Sequence, residues 1–207
     1  MKKLASVAAA ATAALLTFSV QAQYPQKNIE FVIPFGTGGG FDRTVRLFAP
    51  AIERALGGKV QVLSRNIPGA GGRKGLSTVY RAKPDGYMIT IANMPGAALP
   101  ELLGTKVEYD LPKFTWIARL ATEEYMFAVP SKSPIKTVED LRKLGRPVKI
   151  TNTDFGSTAN AAVSIIATGL KFPVSHLTGY KGTADYIVAV IRGDGDAALA
   201  PVSTLGK

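Results

Sequence analysis

Ile29-Glu30-Phe31-Val32-Ile33-Pro34-Phe35-Gly36-Thr37-Gly38-Gly39-Gly40-Phe41-Asp42 decides how the rest of the chain is read. The apolar run Ile29 to Ile33, stopped by Pro34, predicts a strand. Asp42 is placed to cap a helix whose buried face is Val45, Phe48, Ile52, Ala55 and Leu56, at helical spacing. Pro50 removes one backbone hydrogen bond within that helix, and Gly57-Gly58 ends it. Strand, glycine loop and helix in this order make an anion cradle. Glycines let several N–H groups point at one spot, and the helix dipole adds positive potential there. The candidate residues are Phe35, Gly36, Thr37, Gly38, Gly39 and Gly40, with the Gly38 and Gly39 amides expected to meet a ligand carboxylate. The other reading is a glycine turn that only packs helix against strand. The dinucleotide spacing GxGxxG and the P-loop spacing GxxxxGK[ST] are both absent from the sequence.

The same grammar continues along the chain. Val60 to Leu63 predicts a second strand, Pro68 to Gly72 a second glycine loop, Leu76 to Ala82 a helix, and Tyr87 to Ala92 a third strand. Alternating strands and helices imply a parallel sheet. Asn93, directly after the third strand, is also a candidate ligand residue. A short helix is expected around Leu99 to Leu103, then two extended runs, Trp116 to Leu120 and Tyr125 to Val129, where the chain passes between domains. Thr137 to Asp140 reads as a capping box. Val148 to Thr151 is a strand, followed by a polar turn and a helix capped by Ser157. Thr153, Gly156, Ser157, Thr158 and Asn160 repeat the loop-before-helix logic, since hydroxyls and amides at a helix start bind carboxylates well. Simple capping is the alternative. Val174 to Leu177 and Ala197 to Ala200 are further strands around a helix from Thr183 to Ile191. The fold class is α/β, in two halves divided at 23–122 and 123–207.

Residues 1–22 read as a cleavable secretory leader. Lys2-Lys3 precede an apolar stretch to Val20, and Val20-Gln21-Ala22 offers small residues at the peptidase sites. The rest is an exported chain with no further membrane-length apolar stretch. Composition is that of an ordinary globular protein, 46% hydrophobic and 19% charged. It carries 25 basic and 15 acidic residues; without Lys2 and Lys3, 23 against 15 leaves +8. That field favours small anions. After the leader no basic run exceeds two residues (Arg73-Lys74 and Arg142-Lys143), so no clustered face for nucleic acid is expected. Arg65, Arg73 and Lys74 flank the second glycine loop, either as ligand cations or as solvated charges on a flexible loop.

Catalytic patterns are poor. The chain has no cysteine, a single histidine and no GxSxG elbow. His176 lies in an apolar strand run and reads as structural, and Asp194-Gly195-Asp196 as a turn lacking the other calcium ligands. No enzyme activity, metal or cofactor is expected.

The ordered set of motifs resembles a known family. Tyr24-Pro25, Val32-Ile33-Pro34-Phe35, Gly38-Gly39-Gly40 with Asp42 and Arg46, Asn66 with Pro68 to Gly72, Pro84-Asp85-Gly86-Tyr87, and Tyr180-Lys181-Gly182 before Gly193 are similar to the substrate-binding proteins of tripartite tricarboxylate transporters, the Bug family. The resemblance implies a type II periplasmic binding protein, with two α/β domains and parallel-rich sheets around a cleft. It implies a receptor for a small carboxylate, delivered to membrane permease subunits, with ligand groups at Phe35 to Gly40 and Thr153 to Asn160. Where many members carry a histidine near the second helix start, this chain has Asn160. The chain stops at Lys207, before the segment that returns through both domains in the family, so a C-terminal truncation is expected, leaving the second domain and the return of the first incomplete. The competing expectation is an exported enzyme that uses the glycine loop to hold a phosphate or carboxylate substrate.

Overall fold

The computed structural model describes residues 24–205, so the expected leader at 1–22 lies outside the described residues. The first half is built on a three-stranded sheet in the order β2-β1-β3. β1 (Ile29–Ile33) lies in the middle and pairs in parallel with β2 (Val62–Asn66) and β3 (Met88–Thr90). Its central place explains its composition, because Ile29, Phe31, Val32 and Ile33 are all buried. Val45 and Ala49 of α1 (Gly40–Ala55) and Val62 of β2 close over the odd-numbered side chains of β1. A second cluster joins Leu76 of α2 (Arg73–Tyr80), Ala97 of α3 (Met94–Leu102), Tyr109 and Leu111.

The second half carries a four-stranded sheet in the order β4-β7-β5-β6, with β4 at Tyr125–Ala128, β5 at Val148–Thr151, β6 at Val174–Leu177 and β7 at Ala197–Pro201. β5 is parallel to β6 and β7, whereas β4 runs antiparallel to β7. The alanines of β7 have a reason. Ala197 and Leu199 face Val163 and Ala167 of α5 (Thr158–Leu170), while Ala198 and Ala200 face Tyr186 and Val190 of α6 (Thr183–Arg192). A strand covered on both faces by helices alternates between two cores, and small side chains let both approach. α4 (Val138–Lys143) begins with the expected capping box between Thr137 and Asp140. A short turn of helix, α7 (Val202–Leu205), follows β7. Among the described residues no helix is long and apolar enough to cross a membrane.

Several expectations shift. β2 begins at Val62 and runs three residues past the expected end at Leu63, to Asn66, because an edge strand can leave Leu63 and Arg65 on its open side. α2 starts at Arg73 after a 3₁₀ turn, α3 at Met94, and β3 is confined to Met88–Thr90. Trp116 to Leu120 forms no strand; the Trp116 indole N–H donates instead to the Leu111 carbonyl at 3.1 Å. Ala49 and not Ala55 completes the buried stripe of α1. Asp42 is not the N-cap. Gly39 is, without a side-chain bond, and Asp42 lies three residues further on.

Candidate functional site

The first glycine loop is fastened at both ends. Gly38, at φ +78°, donates its N–H to Asp42 Oδ2 at 3.0 Å. The other carboxylate oxygen of Asp42 accepts from Arg46 Nε and Asn66 Nδ2, each at 3.0 Å. Asn66 Nδ2 also donates to the Phe35 carbonyl, and Asn66 Oδ1 accepts from Arg46 Nη2, both at 3.0 Å. Burial alone raises the Asp42 pKa, but the bonds from Arg46, Gly38 and Asn66 outweigh it and leave the carboxyl below its usual value. The Gly36 N–H is committed as well, to the Lys181 carbonyl of the second half at 2.9 Å. Gly36 and Gly38 therefore spend their amides on the fold. Gly39 has an ordinary φ, and a Cβ added there would meet nothing nearer than the Gly36 carbonyl oxygen at 3.9 Å.

The second loop is organised by α5. Ser157 caps it by accepting from the Asn160 N–H at 3.2 Å. Thr158 Oγ1 donates to Asn93 Oδ1 at 2.9 Å, and Asn93 Nδ2 donates to the Tyr125 hydroxyl at 3.2 Å. A hydroxyl, an amide and a phenol from three separate elements thus form one chain. Burial chiefly raises the Tyr125 pKa, with Glu123 adding to it, so the phenol stays protonated and can donate onward.

These groups enclose a cavity of about 30 Å³ between the halves. Of the candidates from sequence, Phe35, Asn93, Thr153, Ser157 and Thr158 line it; Gly36, Thr37, Gly38, Gly39, Gly40, Gly156 and Asn160 do not. Asn160 is buried behind the wall, and its Nδ2 has no partner. Sequence reasoning missed Tyr125, Thr183 and Tyr186 in the wall, together with Phe41, which stacks on Phe35 at 4.7 Å between ring centroids. Thr183 was within reach, since it opens the helix after Tyr180-Lys181-Gly182. Tyr125 and Tyr186 carried no local signal. A larger hollow of about 340 Å³ opens at Tyr24, Pro25 and Lys59. It is remote from both loops and gathers no comparable set of hydroxyl and amide groups, so the smaller cavity is the candidate site.

Glycines let the halves meet around the cavity. A Cβ on Gly182 would lie 3.1 Å from the Gly36 nitrogen, and one on Gly96 would lie 3.1 Å from Thr158 Oγ1. Arg73 Nη1 stands 2.6 Å from Asp154 Oδ2, joining α2 to the loop before α5. His176 is held by Asn152 and Ser164, each at 3.2 Å, and burial lowers its pKa. Among the described residues no group of three or more His, Asp or Glu side chains is placed to hold a metal ion.

Comparisons with known proteins bear on the family and the fold. A family profile described as the tripartite tricarboxylate transporter family receptor matches residues 44–205. The chain is 33% identical over 195 residues to a UPF0065 protein in the gbd 5′ region of Cupriavidus necator, covering 89% of this chain and 58% of that relative. It therefore spans little more than half the length of that curated relative. Among solved structures, a periplasmic transporter superposes with a TM-score of 0.80 at 26% identity, over 88% of this chain and 62% of the other. Rpa4515 of R. palustris, solved with adipate, superposes with a TM-score of 0.79 at 23% identity, over 87% and 61%. The α/β architecture with parallel-rich sheets is that of periplasmic binding proteins.

Proposed function

We propose a function on one premise: the chain belongs to the tripartite tricarboxylate transporter receptor family. It acts as an extracytoplasmic solute-binding receptor for a small carboxylate. The leader exports it to the periplasm, and it hands its ligand to the permease subunits of a tripartite transporter. The two lobes divide near residue 122, and the ligand lies between them.

One observation carries the ligand class. The first turns of three helices converge on a single cavity, through Phe41 of α1, Ser157 to Ala159 at the start of α5, and Thr183 of α6. Helix starts supply unpaired N–H groups and positive potential, which favour a carboxylate. The hydroxyls of Thr158 and Tyr125 and the amide of Asn93 add neutral hydrogen-bonding partners that fix orientation. A volume of about 30 Å³ admits one or two waters and no organic acid, so a ligand must part the lobes to enter. The adipate bound by Rpa4515, a relative in fold, supports the same class.

The test is native mass spectrometry of the full-length protein as purified, followed by calorimetry with the acid identified. A bound carboxylate that saturates at one per chain supports the reading. A neutral sugar, a peptide or a metal ion in its place overturns it.

A further inference from the structure

We propose that Arg73 selects ligands carrying a second negative charge, and that Asp154 is a built-in carboxylate occupying its place until such a ligand arrives. The inference rests on the carboxylate reading above and supplies the charge that reading leaves unassigned, because no charged side chain stands in the cavity wall.

Arg73 Nη1 stands 3.7 Å from where a Cβ on the wall residue Gly71 would lie, and Asp154 directly follows the wall residue Thr153. Of the nine ion pairs among the described residues, this one alone joins the two halves. It is also the pair in which both side chains are well covered, 20% and 25% exposed. A glycine makes room on each side. A Cβ on Gly156 would stand 2.9 Å from Arg73 Nη1, and one on Gly71 would stand 3.2 Å from the Asp154 Cβ.

The contact has the character of a stand-in. Arg73 Nη1 meets Asp154 Oδ2 without an aligned hydrogen bond, and that oxygen is buried with no other partner. Arg146 and Asp196, by contrast, form a two-pronged pair at 2.6 and 2.8 Å. Planar guanidinium groups prefer the two-pronged arrangement. A diacid seated with one carboxylate at the helix starts presents its second to Arg73 in that geometry, and Asp154 turns to solvent. A monoamide of the same length separates the ion pair and puts nothing charged in its place.

Calorimetry on the full-length protein with straight-chain diacids from succinate to adipate, each beside its monoamide, tests this. The wild-type chain should prefer the diacid. Arg73→Gln should lower the diacid-to-monoamide affinity ratio by about tenfold or more, the effect of losing a charged hydrogen-bonded contact. Arg73→Lys should keep much of the preference, and Asp154→Asn should raise diacid affinity. The double variant Arg73→Asp with Asp154→Arg re-forms an ion pair with its ends exchanged. Recovery of the diacid preference in that variant would make the pair a clasp between lobes and overturn the inference. Equal affinity of the wild-type chain for diacid and monoamide, or an unchanged ratio in Arg73→Gln, overturns it too. Failure of every acid and monoamide to bind the wild-type chain removes the carboxylate reading itself, and this inference with it.

Discussion

Gly38 donates its backbone N–H to the carboxylate of Asp42, four residues on, at 3.0 Å. The same carboxylate is bonded to Arg46 and to Asn66, and Asn66 returns to the loop at the Phe35 carbonyl. A loop that looks free to curl around an anion is pinned by a buried anion of its own. That pinning preorganises the start of α1, whose Phe41 reaches the cavity wall.

Asp42→Ala should therefore cost more than an ordinary surface change. It leaves the Gly38 and Asn66 donors without their acceptor, a loss of about 1–3 kcal/mol. Urea melts of the full-length protein give the value, and an unchanged midpoint would mean the loop is held by other contacts. Asn66→Ala, one step further from the cavity, should weaken ligand binding in parallel.

Acid should remove a defined part of the stability. The Asp42 carboxyl lies below its usual value in the fold, and so does that of Asp196, first through its bond from Arg146 and then through the Lys149 N–H. A carboxyl lowered on folding stabilises fully above its unfolded pKa of about 3.9 and loses that contribution as pH falls through the folded value. Stability of the wild-type chain should thus decline below about pH 4. Asp196→Asn should show a shallower decline in melts run from neutral to acid, and identical slopes would assign the acid loss elsewhere.

Asn93→Ala cuts the chain from Thr158 to Tyr125 at its middle. Ligand affinity should fall by about 1 kcal/mol for each hydrogen bond lost. Small-angle scattering should record a larger radius of gyration at equal ligand occupancy, because the same residue ties α5 to β4. A radius equal to that of the wild-type chain would place closure on other contacts.

Two glycines should respond in opposite ways. Gly75→Ala places a Cβ 2.7 Å from the Pro34 Cβ, so α2 must move off β1; destabilisation by about 1–3 kcal/mol is expected. Gly39→Ala meets nothing nearer than 3.9 Å, ordinary van der Waals contact, at an ordinary φ and should fold normally. Thermal melts of the two variants side by side decide the matter; equal losses would show that space at Gly75 is not the constraint.

Local patterns in the sequence determined β1 with its stop at Pro34, the capping box of Thr137 and Asp140, the Ser157 cap and the α/β alternation. Each depends on residues within a few positions of one another, where backbone sterics and short side-chain bonds act before any tertiary contact exists. The anion-friendly loop before α5 was legible for the same reason. The tertiary structure alone decided which groups reach the cavity. Thr158 and Asn93 are 65 residues apart, Asn93 and Tyr125 are 32 apart, and Asn66 and Asp42 are 24 apart. The Arg73–Asp154 pair and the place of β7 between β4 and β5 belong with them. Neither propensity nor periodicity encodes these contacts, because each joins segments distant in the chain, some within one folded half and the others only where the two sheets bring their loops together.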